Sequence, residues 1–100
     1  VEDIVEMIYW FERATFNGSE DAYANLATLY ENEFRDVLVE MEVAANNGNA
    51  MAQFNLGWIN ARGLVNSEGL MQDMDIAKAW FEKSAKLGFK DAIEVLEKNF

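Results

Sequence analysis

The chain contains no cysteine, no histidine and no proline. Without cysteine there is no disulfide framework and no thiol nucleophile. Without histidine the commonest general base and the commonest metal ligand are both missing. Without proline the strongest helix breaker is gone, which favours an all-helical chain. Bases are scarce: 8 Lys and Arg face 18 Asp and Glu, for a net charge of −10. A field of that sign repels nucleic acid and anionic membrane. No apolar run approaches the roughly 18 residues that insert across a bilayer. A Gly-rich phosphate loop and an EF-hand spacing of oxygen ligands are also lacking. These absences point away from an enzyme, a cofactor or a metal site.

What is present is material for a core. Of the 100 residues, 51% are hydrophobic and 13% aromatic, ample for one folded domain. The acids are unevenly placed. Residues 1–60 hold all but seven of them, against only Arg13 and Arg35, whereas residues 61–100 are close to balanced. The acidic part would steer a basic partner toward itself; the plainer reading is that it keeps an apolar-rich chain in solution. The pairs Asp36–Glu40 and Glu2–Asp3 fit a solvated acidic face better than paired catalytic carboxylates.

Three stretches repeat one another. Trp10-Phe11-Glu12 recurs as Trp80-Phe81-Glu82, and Gly18, Gly48 and Gly88 are spaced by 30 and 40 residues. Four residues before each glycine stands Ala14, Ala44 or Ser84. Four after it stands Ala22, Ala52 or Ala92, and eight after it Leu26, Leu56 or Leu96. A period in this range is the signature of stacked helix pairs.

Apolar periodicity predicts six helices. The first covers about residues 3–16, with Ile4, Met7, Ile8, Phe11 and Ala14 as its stripe; Gly18 ends it and Ser19 caps the next. Asn17-Gly18-Ser19 also fits a glycosylation acceptor, but makes a good turn. The second helix (to Asn32) turns Ala22, Leu26, Leu29 and Tyr30 inward. The third (33–46) turns in Phe34, Val37, Leu38, Met41 and Ala45. Asn49 caps a fourth, Ala50 to Ala61, apolar almost all round and so expected between neighbours. Residues 62–72 read as one long loop with Gly63, Asn66, Ser67 and Gly69 as turn residues. A fifth helix starts at Asp73 or Asp75, with Ile76, Ala77, Trp80, Phe81 and Ala85 inward, and a sixth covers about 90–98. The Trp-Phe pairs are expected in the core, and Tyr9 and Phe100 at the ends of the stack.

The copies resemble Sel1-like repeats, a branch of the tetratricopeptide-type helical solenoids. Ala52, Leu56 and Gly57 match the start of the family unit, and Gly63 and Val65 fit its loop. Asp75, Lys78, Ala79, the pair Trp80-Phe81, Lys83, Ser84, Ala85 and Gly88 match its end. The earlier copy matches through Ala22, Leu26, Tyr30, Asp36, Ala44, Ala45 and Gly48, but has Glu40 in place of the tryptophan and lacks the glycine-rich loop. The later copy has Asn60 at the position of Tyr30, and a loop about seven residues longer than the family's. The resemblance implies an all-α fold, a short right-handed α-α superhelix of about three helix hairpins. Its units are a partial one over residues 1–18, two more over 19–48 and 49–88, and a terminal helix over 89–100.

It further implies a non-catalytic module that holds a protein or peptide on a concave face lined by the first helix of each pair. The positions the motif does not claim are the candidates for that face: Asn25, Thr28, Glu31, Asn32, Asn55, Trp58 and Asn60. Asp36 and Glu40 join them through the acidic surface. Asn side chains can bond an extended backbone, and Trp58 can anchor a partner or pack under the long loop. Leu64, Leu70 and Met71 would make that loop a flap or a contact element. Two functions stay open, an adaptor and a small acidic inhibitor that neutralises a basic toxin or enzyme. The oligomeric state cannot be read.

Overall fold

The computed structural model describes residues 3–63 and 72–100, apart from the side chains of Asp3 and Phe34. Val65, Asn66, Ser67, Gly69 and the expected flap residues Leu64, Leu70 and Met71 lie outside the described residues, as does the inward placement of Phe34. The chain forms α1 (Asp3–Phe16), α2 (Glu20–Asn46), α3 (Ala50–Arg62), α4 (Met74–Lys86) and α5 (Lys90–Asn99). Helix α2 is continuous by hydrogen bonding, but Glu33 leaves helical geometry at φ −133° and ψ 26°. That kink falls at the boundary expected between two helices, so α2 has two limbs and the helical segments among the described residues number six.

The hairpin ends follow from local chemistry. Gly18, Gly48 and Gly88 take φ of 100°, 93° and 88°, a region costly for any side chain. Ser19, Asn49 and Asp73 then cap α2, α3 and α4 by accepting from the amides of Ala22, Ala52 and Ile76. Phe89 occupies the same place before α5 and offers no side-chain cap.

Two apolar clusters hold the helices together, and α3 serves both. Ala52, Leu56 and Ile59 meet Ile8, Leu26, Tyr30, Val37, Met41 and Ala45 in one. Phe54 meets Tyr9, Ala77, Phe81, Ala92 and Val95 in the other. This is why α3 is apolar all round. Its neighbours are tied to it by buried polar bonds as well: Gln53 Nε2 donates to Ala45 O at 3.0 Å and Ser84 Oγ to Ala50 O at 2.7 Å.

Helix α1 departs most from expectation. It packs on α2 and also on α3, and Tyr9 reaches the start of α5, where its hydroxyl donates to Asp91 and its ring meets Phe89 at 5.5 Å. Burial and the Asp91 carboxylate raise the Tyr9 pKa. Tyr9 is therefore an internal contact and not an end cap. The buried face of α1 is turned accordingly. Ile8, Tyr9 and Glu12 are inside, whereas Met7 is 39% and Trp10 53% exposed. Trp10 was expected in the core. It lies outside, with Arg13 over its ring at 5.5 Å, as Lys83 lies over Trp80 at 4.9 Å. Ile76, also expected inward, is 46% exposed. With α1 folded over α3, the principal extents are similar, 32 × 29 × 24 Å.

Candidate functional site

The expected partner-binding residues separate into three environments. Asn25, Thr28, Glu31, Asn32, Asp36 and Glu40 are exposed along α2. Thr28 and Asn32 lie one turn apart on the first limb and Asp36 and Glu40 one turn apart on the second, so they form a strip in two parts across the Glu33 kink. Its far end enters a groove of about 640 Å³ between α1, the second limb of α2 and the start of α3. Ile4, Val5, Val39, Val43 and Met51 supply the apolar walls, and the charged residues among the described lining, Glu6 and Glu40, are both acids. Val39 and Val43, one turn apart, are 54% and 57% exposed.

Asn55 is the clear correction. It was expected on an open concave face, yet it is wholly buried. Its Nδ2 donates to Val5 O at 2.9 Å and lies 3.4 Å from Met41 Sδ. The reason is α1, which covers the side of α3 that a plain stack would leave open. Asn55→Ala should therefore lower stability by about 2 kcal/mol, through a lost buried bond and a small void. Urea unfolding checks this, and binding at α2 should be unchanged. Asn60 is half-buried and engaged locally: Nδ2 donates to Leu56 O and its backbone carbonyl accepts from the Asp73 amide, each at 2.9 Å.

Trp58 stands at the third place, the end of α3. Its ring meets Phe16 and Phe81, both at 5.4 Å. The Arg62 guanidinium lies between two rings, 5.4 Å from Trp58 and 5.8 Å from Tyr23. Its Nη2 pairs with Glu12 Oε1 at 2.5 Å, and Glu12 Oε2 accepts from the Tyr30 hydroxyl at 2.9 Å. Glu12 is fully buried, and burial raises its pKa against the opposing pull of Arg62 and Tyr30. Burial and the Glu12 charge push the Tyr30 hydroxyl well up. Burial alone would lower Arg62, but its bond to Glu12 and the charge there raise it. Beside this trio lies a cavity of about 510 Å³ between the ends of α1, α3 and α5 and the start of α4.

The sequence reading missed Glu12, Arg62 and Tyr30 as a group. Glu12 looked like the counterpart of Glu82, and Glu82 is exposed. Among the described residues no cluster of three or more His, Cys, Asp or Glu is placed to hold a metal ion. No described helix is long and apolar enough to cross a membrane.

An all-helical repeat protein is thus defined by the hairpins, their glycine ends and the shared residue positions. Residues 50–89 match the family model described as Sel1 repeat. The chain carries a Sel1 repeat over α3, the following connection and α4, and Sel1 repeats generally serve as non-catalytic protein–protein interaction modules. Comparison with curated proteins gave no match, nor did comparison with solved structures.

Proposed function

We propose that the chain binds a basic segment of a partner protein along the acidic strip of α2, with the apolar side chains of that segment seated in the groove beside Val39 and Val43. The carrying observation is the groove itself. It joins apolar walls, with Val39 and Val43 exposed, to two acids, with no base among the described lining residues, on the limb of α2 that also carries Asp36. Apolar contact supplies affinity and the acids supply steering and choice of partner. Asn55 is buried and not open to direct contact, which supports placing the segment on α2 rather than on α3.

The same acidity supports a second reading, a dedicated inhibitor that covers a basic toxin or enzyme. Residues 1–60 hold 11 acids and two bases, a charge density suited to fast capture of a cationic surface. The adaptor and the inhibitor share the surface and differ in the number of partners.

Asp36→Lys with Glu40→Lys tests both. The two side chains are exposed, so the fold should persist. Association with a partner captured from the source organism should slow about tenfold or more at low salt, and the difference should shrink as salt screens the charges. A double variant that associates like the parent would reduce the acids to a solubility device. One basic partner, lost at high salt, favours the inhibitor; several salt-resistant partners favour the adaptor.

A further inference from the structure

From the cavity at the end of α3 we infer a second binding site, separate from the α2 surface, for a carboxylate carried on an aromatic or apolar body. Its walls are Phe16, Trp58, Met74, Phe81, Val95 and Phe100, and about 510 Å³ suits a small ligand or a single side chain. In a chain of net charge −10, Arg62 is the one charged residue among the described residues lining this cavity, so an anion meets no acid among them.

Two donors of the wall are unspent. Arg62 Nη1 and Trp58 Nε1 are buried atoms with no hydrogen-bond partner among the described residues. Of the other polar lining residues, Thr15 Oγ1 donates to Phe11 O and Gln72 Nε2 to Ala61 O, both at 2.8 Å, while Asn99 adds an amide to the lining. Buried donors are normally satisfied, and two without a partner on residues that line one cavity call for an acceptor. The guanidinium is already oriented, since Nη2 is held by Glu12 and the plane lies between Trp58 and Tyr23. An oriented guanidinium edge favours a carboxylate over a neutral carbonyl. The aromatic walls then take the body that bears it. A free aromatic acid and the C-terminal residue of a polypeptide both present this chemistry.

The test follows the indole N–H signal of Trp58 in nitrogen-15 spectra of the full chain, assigned by its loss in Trp58→Phe. Phenylacetate, N-acetyl-phenylalanine, its amide and the tripeptide Ala-Ala-Phe are titrated in turn. The acids should shift that signal saturably, and the amide should bind at least about tenfold more weakly than N-acetyl-phenylalanine. Trp58→Phe keeps the ring and removes the donor, so calorimetry should show the acid weakened about tenfold. Arg62→Lys keeps a charge for Glu12 but loses the second edge, and should abolish the preference for acid over amide. Tighter binding of the tripeptide would identify a polypeptide C-terminus as the source, and tighter binding of phenylacetate a free acid. Equal affinity for acid and amide, or no Trp58 shift up to about 20 mM of any acid, overturns the site.

Discussion

Gly57→Leu should cost more than about 3 kcal/mol and remove much of the stability of a domain this size. Gly57 is buried in the middle of α3, and a Cβ built there would lie 2.5–2.7 Å from three ring atoms of Phe81. That ring is fully buried. It packs on Phe54 at 5.8 Å, Trp58 at 5.4 Å and Phe100 at 5.9 Å, so displacing it disturbs three other rings. A glycine inside a helix ordinarily costs about 1 kcal/mol against alanine. Here the absent side chain is what lets α3 and α4 approach. Gly57→Ala should therefore lose a little stability despite its better helix propensity, since overpacking costs about 1–3 kcal/mol. Combining Gly57→Leu with Phe81→Leu should recover part of the loss, a coupling that two independent sites would not show. The measurement is urea unfolding of the parent, both singles and the double. A Gly57→Leu variant as stable as the parent would refute the close α3–α4 contact on which the stack rests.

The fate of Gly57 also shows what the sequence carries well. Small residues recurring in register, glycines at hairpin ends and capping residues just after them are local signals. Ser19, Asn49 and Gly88 act as their positions required. Inward stripes were read correctly where a helix has neighbours on one side, as with Leu26, Tyr30, Val37 and Met41. They were misread on α1, because a helix clasped by α2, α3 and the start of α5 has no single inward stripe. The consequences are an exposed Met7, a buried Tyr9 and a buried Glu12. Repeat position could not disclose this: Glu12 and Glu82 occupy the same place in the motif, yet only Glu12 has Arg62 and Tyr30 beside it. The cavity at Trp58 was half legible. Trp58 stood out as a large aromatic the motif does not claim, but Phe16, Val95 and Phe100 join it only through contacts between residues some 40 positions apart.

Arg62→Met should destabilise the domain by about 3–5 kcal/mol at neutral pH, because it leaves Glu12 buried and unpaired. The loss should shrink as the pH falls. Burial already raises the Glu12 pKa above its ordinary 4.5, although Arg62 and Tyr30 pull it down. The folded state thus holds the proton more tightly than the unfolded chain. The resulting stabilisation is complete below the ordinary value and is lost as pH rises through the raised folded value. Removing the guanidinium raises that folded value further, so the variant gains more on acidification than the parent does. Acidification also relieves the repulsion among the other acids, but it does so in both proteins. Glu12→Gln supplies the reference: it still accepts from the Tyr30 hydroxyl, cannot ionise, and should cost only about 1–2 kcal/mol with little pH dependence of its own. Glu12→Leu with Arg62→Met, which removes both charges, should be more stable than Arg62→Met alone. Urea unfolding of the parent and the three variants at pH 5, 6, 7 and 8 separates these effects. An Arg62→Met loss that stays constant across that range would mean that Glu12 is not the group charged inside the fold. A loss that shrinks on acidification would identify Glu12 as the group that Arg62 holds charged inside the fold, with Nη2 neutralising the carboxylate that joins α1 to α2 and α3.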